Sequence, residues 1–375
     1  MTVWDRLVGQ SAAVTTLRRA VAGDRHAMTH AWLFTGPPGS GRSVAARAFA
    51  AGLQCPQGGC GACRSCATTM AGTHPDVTVV NTEQLSIGVD QVRDLVRRSA
   101  MSPTLGRWQA LIVEDADRIT ERGADALLKA IEEPAEATVW MLCAPTVDDV
   151  VVTIRSRCRQ VGLVTPSASA VAQLLESEGV EPDLARFSAT VSQGHIGRAR
   201  ALATKPDVAG RRSDILAIPS QLTGLGECLR LASWAVTTAQ DEATAVTAPL
   251  DREERAKLEL ALGMTRGRPA PRGASGQIKD LEEQQSLRTK RFVRDRLDSV
   301  LLELTGYYRD VLVVQTGAAP DLMNSDCGDD IRVRAAATTA ETTIRRLDAI
   351  VECRQALMTN VAPQLAFEAM LVALA

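Results

Sequence analysis

His30-Ala31-Trp32-Leu33-Phe34-Thr35-Gly36-Pro37-Pro38-Gly39-Ser40-Gly41-Arg42-Ser43, running on into Val44–Leu53, is the stretch on which the fold turns. A short apolar run, a glycine-rich turn and a helical pattern follow one another, which is the strand, loop and helix context of a Walker A phosphate loop. Glycines let backbone N–H groups close on phosphates, and the helix N-terminus adds the positive end of its dipole. Gly36, Gly39, Gly41 and Ser43 stand where that motif needs them. Position 42 does not fit. Arg42 replaces the compact lysine that reaches the β- and γ-phosphates, and a planar fork is no equivalent of a point charge. The loop therefore predicts a nucleotide site that holds ATP weakly if at all and does not hydrolyse it.

Working outward, short apolar runs at Asp76–Asn81, Gln109–Glu114 and Val139–Ala144 join His30–Thr35 as candidate strands. Amphipathic stretches such as Val89–Arg98 and Asp125–Glu133 separate them. Alternating strands and helices predict an α/β module, a parallel sheet with helices on both faces. At the end of the third run, Val113-Glu114-Asp115 reads as a Walker B motif with its acids exchanged. Aspartate ordinarily holds Mg²⁺ and the following glutamate polarises water, so one carboxylate is a methylene too long and the other a methylene too short. A misplacement of ~1 Å costs up to ~100-fold in rate.

Beyond Thr165–Ser169 the β-branched runs cease and the pattern is helical throughout, with a change of texture at Lys205-Pro206. Residues 263–277 carry glycine, proline and arginine without periodicity and predict a flexible basic loop. A chain of 375 residues exceeds one ordinary core. Net charge is −2 and aromatic residues make up 3%, which excludes both a domain that grips nucleic acid by bulk charge and a broad base-stacking surface. No run approaches the ~18 apolar residues of a membrane span. The start of the chain lacks a signal-type apolar segment, so the expected location is cytoplasmic.

Cys55-x4-Cys60-x2-Cys63-x2-Cys66 lies in a glycine-rich polar loop. Four thiolates at such spacing close a tetrahedron around Zn²⁺ and leave no place for water, so a structural zinc site is expected. Three readings stay open on the residues alone. Thr146, just past the fourth strand, either faces a γ-phosphate or caps a helix from Val147 onward. Arg198, in Gly194-His-Ile-Gly197-Arg198, begins a helix and points either at phosphate or at solvent. Arg155, Arg157 and Arg159 form a basic turn.

Taken together, several segments resemble the AAA+ clamp-loader subunits of bacterial DNA polymerase III. They are Leu7-Val8-Gly9-Gln10, His30–Gly39, the cysteine loop with Gly72-Thr-His74-Pro75-Asp76, Ala126-Leu-Leu-Lys-Ala-Ile-Glu-Glu-Pro134, and Arg155-Ser156-Arg157-Cys158. The resemblance covers 1–165 strongly and 166–205 through the Gly-x-x-Gly-x-Ala helix, and reaches the remainder only through its helical texture. Arg42 and the Glu114-Asp115 order make the chain similar to the delta-prime branch, whose nucleotide site has decayed while Ser-Arg-Cys persists. It departs from that branch in a shorter first cysteine spacing and a better-preserved phosphate loop.

The resemblance implies an AAA+ module over 1–165 with a zinc insert at 55–66, a helical lid over 166–206, and an all-α collar over 207–375. It implies a non-hydrolysing stator that presents Arg157 as an arginine finger to the ATP of a tau/gamma neighbour. The implied partners are the tau/gamma and delta subunits, the sliding clamp, and primed DNA through the complex. An autonomous AAA+ ATPase and a zinc-ribbon DNA-binding protein are the competing expectations; the first requires turnover by the chain alone, the second tight, salt-dependent DNA binding.

Overall fold

A computed structural model describes residues 1–375 except Arg25, 81–85, 265–273, 319–320 and Asn360. It falls into two compact units, Met1–Thr204 and Lys205–Ala375.

In the first unit, α1 (Ser11–Val21) precedes β1 (Ala31–Thr35), and α2 (Arg42–Gln54) and α3 (Arg64–Ala71) lead to β2 (Val77–Val80). Next come α4 (Val89–Ser99), β3 (Gln109–Val113), α5 (Glu121–Glu132), β4 (Thr138–Ala144), α6 (Val152–Arg155) and β5 (Arg159–Gly162). All strand pairs are parallel, in the order β2-β3-β4-β1-β5. Successive strand side chains go to opposite faces, and both faces are covered, so the central strands read as unbroken apolar runs. Trp32, Phe34, Ile112 and Met141 join one core with Leu17 and Phe49. Leu33, Leu111, Trp140 and Leu142 join a second with Val92, Leu95, Leu127 and Ile131.

Of the expected strands, β2 is described only to Val80, since Asn81 lies outside the described residues. The fifth strand was not expected. Of Arg159–Gly162 only Val161 is buried, so no apolar run marks it. Pairing with β1 and the Leu163 N–H to Thr35 carbonyl bond (2.7 Å) hold it. Arg159 braces this edge, its Nη1 donating to the carbonyls of Ala27 (2.7 Å) and His26 (3.0 Å) while its guanidinium lies over the Trp32 ring.

Three further helices, α7 (Ala168–Ser177), α8 (Pro182–Val191) and α9 (Ile196–Thr204), complete this unit around a small core of Val171, Leu175, Ala185 and Ala189. Ser167 and Glu181 cap the first two by accepting from Ala170 and Leu184 N–H.

Among the described residues the second unit contains only helices: α10 (Pro206–Leu216), α11 (Ile218–Gln221), α12 (Leu225–Ala261), α13 (Ala274–Thr316), α14 (Gly328–Ala337), α15 (Ala340–Leu357) and α16 (Pro363–Leu374). Leu231, Leu297, Leu304, Tyr307, Ile350 and Phe367 share its core. Buried Asp310 accepts from the backbone N–H groups of Met323 and Asn324 and sits against Arg309, which removes the cost of an unpaired buried charge. The basic loop expected over 263–277 is shorter than its composition suggests. Residues 274–277 open α13, and 265–273 lie outside the described residues. Among the described residues no helix is long and apolar enough to cross a membrane.

Candidate functional site

The phosphate loop leaves β1 where Gly36 N–H bonds the Pro145 carbonyl (3.1 Å), and it re-enters helix at Gly41, the N-cap of α2. Gly39 has φ +84°, and a β-carbon there would meet the His195 ring at 2.6 Å, so glycine is required on both counts. Buried Gln10 clips the loop to the connector after β5, its Nε2 donating to the carbonyls of Val164 (2.6 Å) and Ser40 (3.3 Å). A cavity of about 710 Å³ adjoins this loop. Its walls are Arg6 and Val8 near the chain start, Gly41 and Ser43 of the loop, and His195 and Arg200 near α9. Burial pushes the His195 imidazole below its ordinary range, with Arg198 adding to the effect, so the ring facing the cavity is neutral at pH 7.

Two arginines then change what the site can do. Arg42 Nη1 donates to the Gly36 carbonyl, so the side chain in the lysine position turns back onto its own loop. Arg47, one turn of α2 after Ser43, donates through Nε (3.0 Å) and Nη2 (2.9 Å) to Glu114 Oε1. Glu114 directly follows β3, where a P-loop enzyme keeps the acid that holds Mg²⁺. That carboxylate carries a guanidinium instead. Arg47 was not singled out from the sequence, because the two partners are separated by 67 residues; its position four residues after Ser43, on the same helix face, was the available signal.

Thr146 does not cap a helix from Val147. Its N–H and Oγ1 both bond Asp149 Oδ2 at 2.8 Å in a local turn, and α6 starts only at Val152. On α9 the cavity is lined by Arg200, which pairs with Glu178 at 2.6 Å, while the Arg198 N–H bonds His195 Nδ1 at 3.2 Å. The three arginines of the basic turn separate clearly. Arg159 is tied to β5's edge as described, and Arg155 pairs with Asp148. Arg157 lies in the exposed turn between α6 and β5.

The four cysteines come together. All four Sγ atoms lie within 4.8 Å of one another, with Cys55 to Cys60 and Cys55 to Cys63 each 3.7 Å. Four sulfurs at ~2.3 Å from one ion stand ~3.8 Å apart along the edges of a tetrahedron, so the cluster could hold a metal ion. Burial opposes ionisation of the Cys55 thiol, but N–H groups from Cys60, Gly59 and Gln57 outweigh it and bring the thiol down to about 6. The loop also docks the start of the chain, through Val3 N–H to the Gly59 carbonyl (3.1 Å) and Trp4 Nε1 to the Gly58 carbonyl (2.9 Å).

A parallel sheet ordered β2-β3-β4-β1-β5, with a glycine-rich loop after β1 and three helices beyond β5, defines an AAA+-type module. Comparison with known proteins narrows this class. A family model described as DNA polymerase III, delta subunit, matches residues 9–167, and one described as DNA polymerase III, delta subunit, C terminal, matches 288–375. The DNA polymerase III subunit delta' of Pseudomonas aeruginosa is 39% identical over 40% of this chain and 47% of that protein. The subunit delta' of Bacillus subtilis is 25% identical over 94% of this chain and 92% of that protein. The gamma/tau subunit of Mycobacterium tuberculosis is 34% identical over 50% of this chain and 34% of that protein. The matches thus span about half or less of the Pseudomonas and Mycobacterium proteins. The chain belongs to the delta-prime family of DNA polymerase III subunits.

Proposed function

We propose that this chain is a non-hydrolysing clamp-loader subunit, a stator that assembles with tau/gamma and delta subunits and acts on a neighbour's ATP. The observation that carries the reading is the Arg47–Glu114 ion pair. A cation fixed to the chain takes the carboxylate that would hold Mg²⁺ through water, and Arg42 spends a donor on Gly36 instead of on phosphate. Whatever nucleotide the cavity takes, it takes weakly and without the metal geometry that hydrolysis needs.

The exposed Arg157 supports a role in trans. A guanidinium at the rim of the sheet, always charged and with a fixed fork of donors, suits the charge that develops on γ-phosphoryl oxygens. Likeness to gamma/tau proteins over half of the chain supports a tau/gamma subunit as that neighbour. The work of the complex is to open the sliding clamp and place it on primed DNA, in the cytoplasm, during DNA replication. The module over 1–165, the lid over 166–206 and the collar over 207–375 divide the labour between ATP contact and assembly. Cys55, Cys60, Cys63 and Cys66 hold a structural Zn²⁺, whose chemistry is to cross-link the loop without an open coordination position.

Phosphate release by the purified chain tests the first half of this reading. No turnover above buffer is expected with ATP and Mg²⁺. Sustained turnover abolished by Ser43→Ala would make the chain an autonomous AAA+ ATPase.

A further inference from the structure

We infer that Glu132 is the positioning residue for Arg157; the inference rests on the trans-acting role proposed above. Arg157 Nη2 pairs with Glu132 Oε1 at 2.5 Å, and its Nη1 donates to the Thr153 carbonyl at 2.8 Å and to Ser156 Oγ at 3.3 Å. Both side chains are 40% exposed, so the pair stands at the surface and does not serve the core. Its two bases differ in rigidity. Glu132 is the last residue of α5, the residue before it is buried Ile131, and Leu127 seats the same face of the helix in the core. Arg157, by contrast, extends from a turn between a four-residue helix and an edge strand.

A long side chain on a turn samples many rotamers, and a finger works only when its fork is already aimed. Glu132 supplies the aim from a fixed helix. Of the five guanidinium N–H groups, those bonded to Glu132, Thr153 and Ser156 anchor the fork, and the remaining donors are left for phosphoryl oxygens. The neighbouring carboxylate takes no proton from the finger, because guanidinium stays protonated. Arg155 pairs with Asp148, and Arg159 donates to the carbonyls near β1.

The test uses the complex reconstituted with its tau/gamma and delta subunits, clamp and primed DNA. Clamp-loading turnover is measured against ATP concentration for complexes of equal composition. Glu132→Ala is expected to lower kcat by roughly 3- to 10-fold with KM for ATP unchanged. Glu132→Asp should recover part of the loss, and Glu133→Ala should match wild type. In an Arg157→Ala background, Glu132→Ala should add nothing. Loss of the same size in both backgrounds would overturn the inference by making Glu132 a structural residue. Unchanged loading by Glu132→Ala beside a strong loss by Arg157→Ala would overturn it while leaving the trans-acting role intact. No effect of Arg157→Ala would remove that role and the inference with it.

Discussion

Replacing Cys63 with serine removes one of four sulfurs from a cluster whose atoms lie within 4.8 Å, and should release more than the cysteine loop. Cys63 also caps α3, its Sγ accepting from the Cys66 N–H at 3.4 Å. Upstream in the same loop, the Gly58 and Gly59 carbonyls hold Trp4 and Val3, and the residues just after these, Asp5, Arg6 and Val8, line the cavity beside the phosphate loop. Those two hydrogen bonds contribute about 1 kcal/mol each, so losing the loop's shape costs the start of the chain about 2 kcal/mol. That corresponds to roughly 30-fold faster opening of residues 1–8. Hydrogen exchange read by mass spectrometry on zinc-loaded, chelator-stripped and Cys63→Ser protein measures it directly. The peptide 1–8 should exchange about 30-fold faster in the latter two, with the amides of β3 and β4 unchanged. Equal protection of 1–8 in all three samples, or purified protein without near-stoichiometric zinc, would refute the reasoning.

Asp76 is buried and accepts the N–H groups of Thr104 (2.6 Å), Leu105 (2.8 Å) and Gly106 (2.6 Å). Burial alone would raise its carboxyl, but these donors together with His74 hold it below the usual 3.8. Its contribution is therefore whole above about pH 4 and fades as pH falls through the depressed value. Asp76→Asn should cost about 2–4 kcal/mol in urea unfolding at pH 7, with the gap to wild type closing in acid; a gap independent of pH would contradict this. Arg42→Lys alone should give no ATPase, because Arg47 still occupies Glu114. Phosphate release at the rate of a working P-loop enzyme from that single variant would show the Arg47 pair to be irrelevant.

The parts of the fold legible in the sequence are those where one physical demand acts over consecutive residues. Ala31–Thr35, Gln109–Val113 and Val139–Ala144 are buried on both faces, so each reads as a continuous apolar run. The phosphate loop and the four cysteines are legible because a tight turn and a cluster of sulfurs constrain spacing locally. What stayed hidden depends on pairing at a distance. β5 is held by its backbone and by Arg159, which looked like one more charge in a basic turn. The Arg47–Glu114 and Arg157–Glu132 pairs each join separate elements. At 274–277, glycine and serine suggested a loop, yet buried Ala274 opens a 43-residue helix, where packing overrides local propensity. Thr146 stayed open between a γ-phosphate contact and a helix cap because the sequence does not reveal that Asp149 folds back onto it.

The central claim, a subunit that works on its neighbour's ATP, is tested most directly by clamp-loading turnover with Arg157→Ala. Arginine fingers are worth ~10³–10⁵ in rate at the site they serve, far above what an exposed ion pair contributes to anything. With complexes of matched composition, and with the variant's fold, zinc content and assembly unchanged, clamp loading should fall at least about tenfold, while total ATPase falls only in part because other sites keep their own fingers. Loading at the wild-type rate by Arg157→Ala complexes would leave Arg157 an ordinary surface charge and contradict the account.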